Sequence, residues 1–235
     1  FRDGLRLRSG LKPTAMPSRC DGCGEHFTTE HAMSCRKGGL ILHRHNDMVT
    51  TWGQLCGQAL SPSTVSDEPL ILPSRDVQLA ASTRTEPSPE IRGDLAVHGF
   101  WSSGQTAIFD VRITDTDQPS NRNTDPAKVL LRHEKEKKDK YGALCIARRR
   151  TFTPLVFSID GLLGKEAKAA SKRLASSLAG KWKRSYSEVC HFVRSRLSIA
   201  LIRSSSRCLR ADRNPILRFR PPIWDSGTGL GLYRM

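Results

Sequence analysis

Three of the seven cysteines in this 235-residue chain fall within sixteen consecutive positions, and their spacing constrains the fold more than any other feature. Cys20-Asp21-Gly22-Cys23, His31 and Cys35 form a C-x2-C-x7-H-x3-C arrangement. Two cysteines separated by two residues chelate one ion from a tight turn, and Gly22 and Gly24 supply backbone freedom there. His31 and Cys35 are one helical turn apart and share a face, so the four residues complete a tetrahedron around Zn²⁺. His26, three residues after Cys23, competes for the fourth position. Such a structural site is closed at four ligands and leaves no catalytic position open. Cys56, Cys145, Cys190 and Cys208 are isolated, and an odd total with one tight cluster favours metal chemistry in a reducing compartment over disulfides.

Hydrophobic residues make up 37% of the chain and aromatic ones 6%, low for a globular enzyme but above a disordered chain. No run approaches the ~18 apolar residues of a transmembrane helix, and the start lacks the apolar stretch of a signal peptide. Neither a membrane protein nor a secreted disulfide scaffold is expected. With Phe1 rather than Met at the first position, a piece of a longer reading frame is expected. Charge is unevenly placed: residues 131–235 carry 24 Lys and Arg against 8 Asp and Glu, whereas residues 1–130 carry 14 against 15. A surplus of that size points to a polyanionic partner, because each cation laid on a phosphate releases a condensed counterion. A solvated basic face is the plainer alternative.

Periodicity predicts a helix to about Leu60 with Leu40, His43, Met48, Trp52, Leu55 and Cys56 on one face. The proline-rich stretch 61–89 reads as a loop with one short strand near Leu70–Leu72. Strands follow over Ile91–Val97 and Ala107–Ile113, then a loop, a charged helix over 127–147 and a strand over 152–159. Helices over 166–182 and 187–210 close an α/β pattern. The divisions are a lead-in over 1–19, a zinc knuckle over 20–38, a core over 39–160, basic helices over 161–210 and a flexible tail over 211–235.

Each of the first two long strands carries one carboxylate, Asp94 and Asp110, among apolar neighbours. A carboxylate in a buried strand is costly unless it is paired or bound to a cation. Two of them on adjacent strands converge on one Mg²⁺, which takes hard oxygen ligands; surface pairing with Arg92 and Arg112 is the competing account. In the charged helix, Lys137 and Tyr141 share a face, suited to orienting a water and contacting a phosphate. A solvated helix held by Glu–Lys pairs is the alternative.

Taken in order, the cysteine–histidine cluster, Arg44-His45-Asn46, Arg92-Gly93-Asp94, Asp110 and the Lys137…Tyr141 helix resemble one family. It is the restriction-like endonuclease domain at the C-terminal end of R2-type non-LTR retrotransposon polyproteins. The phrases FDVRI, HEKEKKDKY and FTPLVFS are similar to the same regions, and the motifs span about residues 20–160. The resemblance implies a PD-(D/E)XK restriction-endonuclease-like core, a mixed sheet flanked by helices, behind a small zinc knuckle. It implies a nickase that primes reverse transcription in the nucleus, acting on double-stranded DNA. Element RNA and an upstream reverse transcriptase in cis are the further partners. Asp94 and Asp110 match its Mg²⁺ ligands, Lys137 and Tyr141 its Lys-x-x-x-Tyr pair with Lys138 a rival lysine. Cys20, Cys23, His31 and Cys35 match its zinc knuckle, and Arg44, His45 and Asn46 a structural or DNA-contacting segment. Glu68 and Glu134 are candidates for a third carboxylate. Gly93 replaces the family's usual proline, and Arg112 stands where related nucleases carry lysine. Arginine does not lose its proton, so the lysine has to come from the helix.

In-line hydrolysis by this set would leave a 3′-hydroxyl and a 5′-phosphate. In the last helix Arg196, Arg203, Arg207 and Arg210 fall within about 60° of arc and form a phosphate-facing stripe, with Val189, Val193, Leu197 and Leu201 toward the core. The alternative is an inactive zinc-stabilised nucleic-acid-binding module from a decayed element.

Overall fold

A computed structural model describes residues 1–72, 90–121 and 123–214. The prolines expected to loop at 73–89 and the tail residues 215–235 lie outside the described residues. At the centre is a four-stranded mixed sheet in the order β1-β4-β5-β6. Strands β1 (Val65–Asp67), β4 (Leu95–His98) and β5 (Thr106–Thr114) pair antiparallel, and β6 (Thr151–Ser158) runs parallel to β5. Strands β2 (Leu70–Leu72) and β3 (Ile91–Arg92) form a separate two-stranded ribbon.

The alternation in β5 sorts the two faces. Ala107, Phe109 and Val111 enter the main core, while Ile108 packs with Tyr141 and Cys145 of the charged helix. A parallel pair needs a crossover, and α4 (Pro126–Ala147) supplies it between β5 and β6. It starts where Asp125 accepts from the Ala127 amide at 2.7 Å, with Pro126 in the first turn, where its missing N–H costs nothing. The other face is covered by α3 (Leu40–Ala59), α5 (Lys165–Trp182) and α6 (Tyr186–Arg210). On α3 the buried face is Leu40, Arg44, Met48, Trp52, Leu55 and Cys56; His43, expected on it, is exposed. Trp52 packs on Phe109 at 5.7 Å and on Phe100 at 6.2 Å. Val189, Val193, Leu197 and Leu201 of α6 are buried as their spacing predicts. A Ser185–Glu188 capping box opens this helix.

Both ends depart from the expected lead-in and tail. Residues Arg2–Arg8 form α1, which crosses α6 so closely that a Cβ on Gly4 would meet Ser206 Oγ at 2.5 Å. Arg210 locks the crossing with a 2.8 Å ion pair to the buried Asp3. So short a helix has no apolar run of its own to announce it, and it exists through that packing. Past α6 the chain does not go free at residue 211: Arg213 is buried, its guanidinium on the carbonyls of Ala32 and Cys208 and over the Phe27 ring.

The strand expected over 91–97 is interrupted at Gly93-Asp94. The Gly93 amide donates to the Pro69 carbonyl at 3.0 Å, and a Cβ there would meet Ile108 Cγ2 at 2.6 Å. Proline at this position would lose the bond and clash, which explains why this chain keeps glycine. Gly93→Pro is therefore expected to cost about 2–4 kcal/mol in urea unfolding.

His133 is buried on α4 and shares a 2.9 Å hydrogen bond with Thr114 Oγ1. Burial, reinforced by Arg112, pushes it down to about 4 from 6.5. The unfolded chain then binds a proton that the folded one refuses, so stability falls as pH drops from 6.5 toward 4, by up to about 1.4 kcal/mol per pH unit. His133→Gln is expected to remove that component of the pH slope in urea titrations.

Candidate functional site

The first candidate centre is the cysteine–histidine cluster. Cys20, Cys23, His31 and Cys35 bring their ligand atoms within 4.8 Å of one another. Sγ of Cys35 lies 3.9 Å from that of Cys20 and 4.0 Å from that of Cys23, and Cys23 Sγ lies 3.3 Å from His31 Nε2. A tetrahedron with Zn–S bonds of about 2.3 Å has edges near 3.8 Å, so this group could hold a metal ion such as Zn²⁺. Gly24 turns the loop at φ +78°. Gly22 serves by size rather than by backbone freedom, since a Cβ there would meet Arg213 Cβ at 2.7 Å. Thr28 caps the short helix α2 (Thr29–Ser34), fixing the His31–Cys35 spacing. His26 is exposed in a bridge with Arg19 and takes no place in the group.

Around the cluster, Glu25 Oε2 stands 3.3 Å from His31 Nδ1, the carboxylate–histidine contact that orients a ligating imidazole. Burial raises the Cys20 thiol, but the amides of Gly22 and Cys23 together with His31 outweigh it and bring the group down to about 6. A thiolate is the ligating form. Phe27, Met33 and Leu40 join the cluster's cysteines to Cys208 and Leu209 of α6.

The second centre lies on the sheet. Asp94 stands just ahead of β4, where its amide donates to the Phe109 carbonyl of β5 at 3.0 Å, one residue from Asp110. Asp94 Oδ2 accepts from the Val111 amide at 2.6 Å, and its Oδ1 lies 3.1 Å from Nε2 of His45 on α3. Lys137 on α4 puts its Nζ 2.7 Å from Oδ2 of the buried Asp110. Burial holds the Asp110 carboxyl above its ordinary range against the pull of Lys137, with Asp94 adding repulsion. Hydrogen bonding to Asp94 raises His45 above an ordinary imidazole. Two carboxylates, an ammonium and an imidazole thus meet from β5, α3, α4 and the segment ahead of β4. Arg92 and Arg112 do not neutralise the aspartates: they pair with Glu90 at 2.7 Å and Glu136 at 2.8 Å.

The remaining candidates divide. Lys138 turns away to Glu166 at 2.5 Å, leaving Lys137 as the lysine beside Asp110. Tyr141 is buried against Phe152, with Lys137 Nζ 5.6 Å and Lys140 Nζ 4.8 Å from its ring centre. It serves as a wall under the lysine. Glu134 does not join the aspartates; its Oε1 accepts from the Glu166 amide at the start of α5. Glu68 is exposed, and its amide donates to the Asp94 carbonyl at 3.1 Å. Arg44 is not a nucleic-acid contact: it is buried, with its guanidinium 3.1 Å from the Met33 carbonyl and 3.2 Å from its sulfur, tying α3 to the cysteine cluster. Asn46 is exposed. His45 belongs to the acidic centre, which no spacing in the sequence could signal, because α3 meets Asp94 only in three dimensions. Arg213 was likewise hidden in what composition made a tail.

Arg196, Arg203 and Arg207 are exposed along α6 and border a groove of about 890 Å³ against α3, with Asp47, Thr50 and Gln54 opposite. Arg207 pairs with Asp47 at 3.2 Å and Arg196 with Gln54 at 3.3 Å. Arg210 departs from the expected stripe, since its guanidinium is spent on Asp3 and the carbonyls of Thr14 and Ala15. Among the described residues no helix is long and apolar enough to cross a membrane. The chain matches no protein-family model and no curated protein.

If the cluster holds one Zn²⁺, Cys35→Ser is expected to lower metal content below one ion per chain by atomic absorption. Because the cluster shares a core with α3 and α6, the variant is also expected to lower Tm by several degrees.

Proposed function

We propose that this chain is a Mg²⁺-dependent DNA endonuclease domain of the PD-(D/E)XK class, the nicking part of a retrotransposon protein that works in the nucleus. One observation carries the reading: the Asp94 carboxylate rests on the Val111 amide, next in β5 to Asp110, and Lys137 pairs with Asp110. The element order, a helix, three antiparallel strands, a crossover helix and a parallel fourth strand, supports the fold class that the motifs resemble. The cysteine–histidine knuckle and the basic α6 groove support a nucleic-acid substrate, double-stranded DNA, with element RNA and a reverse transcriptase in cis as partners.

The donor set fits a hard divalent ion. Asp94 and Asp110 present carboxylate oxygens, with Oδ2 of the buried Asp110 facing the Lys137 ammonium at 2.7 Å. Mg²⁺ held by these two carboxylates would polarise the phosphodiester and its attacking water. Lys137, anchored on Asp110, orients that water and offsets charge building on the phosphate oxygens. A bond forms from the water oxygen to phosphorus as the P–O3′ bond breaks, and the departing 3′-oxygen takes up a proton. His45 is a positioning residue that fixes Asp94. Arg112, paired with Glu136, takes no part. Arg196, Arg203 and Arg207 hold the duplex by its phosphates, which gives steep salt dependence and little sequence readout.

The test is nicking of supercoiled plasmid with and without added Mg²⁺. Asp110→Ala is expected to abolish nicking while leaving duplex affinity near that of the parent, and Lys137→Met to slow it by on the order of 10²–10³. Nicking that persists in Asp110→Ala rejects the metal role. Duplex binding with no nicking in the parent chain leaves the nucleic-acid-binding module as the function.

A further inference from the structure

A second cavity, of about 410 Å³, opens between α5, α6, the end of β6 and α3. Its walls are apolar: Met48, Phe157, Leu163, Val193, Leu197 and Leu201. Around its lining stand four exposed cations, Arg8, Lys168, Lys172 and Arg194. None of the four pairs with a carboxylate among the described residues. An apolar chamber with that much unbalanced positive charge fits a ligand with an apolar body and anionic groups.

Ser171 adds a specific signal. It lines the cavity at 8% exposure, and its hydroxyl has no hydrogen-bond partner. A helical Ser or Thr can satisfy its hydroxyl on the carbonyl four residues back, as Ser34, Thr51 and Ser177 do here at 2.7, 2.7 and 3.2 Å. Ser171 forgoes that bond, leaving a buried donor and acceptor on the cavity wall, at a cost of about 1–3 kcal/mol until something meets it.

We propose that this cavity takes one unpaired nucleotide of the substrate, with the base among the apolar walls and the adjoining phosphates on Arg8, Lys168, Lys172 and Arg194. The proposal rests on the nucleic-acid reading and adds to it a preference for an extrahelical base. Four cations exceed what the single carboxylate of a fatty acid would balance, and they suit a chain of phosphates. Ser171 Oγ then meets a base edge. Extrusion costs least for a base that is already unpaired.

Two labelled duplexes, identical except that one carries a single unpaired 2-aminopurine, test this by anisotropy and 2-aminopurine fluorescence with the Asp110→Ala chain. The bulged duplex is expected to bind about tenfold more tightly, roughly 1.4 kcal/mol, with a change in base emission. The surface double variant Lys168→Glu/Lys172→Glu is expected to remove the preference, and Ser171→Ala to weaken it with the fold intact by circular dichroism. Equal affinity for both duplexes, or a preference untouched in both the Lys168→Glu/Lys172→Glu and the Ser171→Ala chains, overturns the nucleotide pocket while nucleic-acid binding stands. Displacement of the bulged duplex by laurate without any bulge preference assigns the chamber to a fatty acid and also overturns it. Failure to bind either duplex overturns the pocket together with the reading beneath it.

Discussion

A carboxylate buried in a sheet must find a cation, and that of Asp110 organises the middle of this molecule. Its charge is disfavoured by burial and again by the nearby Asp94. Lys137 answers it, and Lys137 can do so only because β6 runs parallel to β5. A parallel neighbour demands a crossover, the crossover is α4, and α4 lies over the sheet face that Asp110 shares with Ile108. The ammonium then rides over the Tyr141 ring, whose burial against Phe152 fixes that part of the helix. Removal of any of these supports would leave an uncompensated buried charge, the most costly defect available to a core.

The rest of the chain braces that arrangement from the other side. α3 is the shared member: His45 holds Asp94, Arg44 reaches into the cysteine–histidine knuckle, and Met48 and Trp52 enter the main core. The knuckle is bound in turn to the end of α6 through Cys208, Leu209 and Arg213. A metal in the knuckle would therefore stiffen the frame that carries His45, although the two centres share no ligand. α1 closes the circuit through Asp3 and Arg210, which diverts one arginine of the basic stripe into structure.

Much of this was legible in the chain. Metal-ligand spacing is local, and so the four knuckle residues come together as their pattern predicts. Amphipathic periodicity placed α3, α5 and α6 to within a residue or two, because each buries a continuous stripe, and the run of charges placed α4 equally well. Other features were illegible for equally physical reasons. α1 is held by a single close crossing at Gly4, and β1 has only three residues, so neither carries enough pattern to be seen. Arg44, His45 and Asn46 are adjacent in sequence, yet a helix turns them 100° apart, which makes one a buried tether, one a partner of Asp94 and one a solvated side chain.

The sequence by itself determined the chemical inventory: a tight set of soft ligands, two strand carboxylates, a lysine-rich helix and a positively charged second half. These are fixed by residue type and short-range spacing. Only the tertiary structure decided the partnerships, Lys137 rather than Lys138 on Asp110, His45 on Asp94, Arg112 on Glu136, and an unpartnered Ser171 in an apolar chamber. The reason is that a charge selects its neighbour by distance and burial, and both are properties of packed elements that no linear separation encodes.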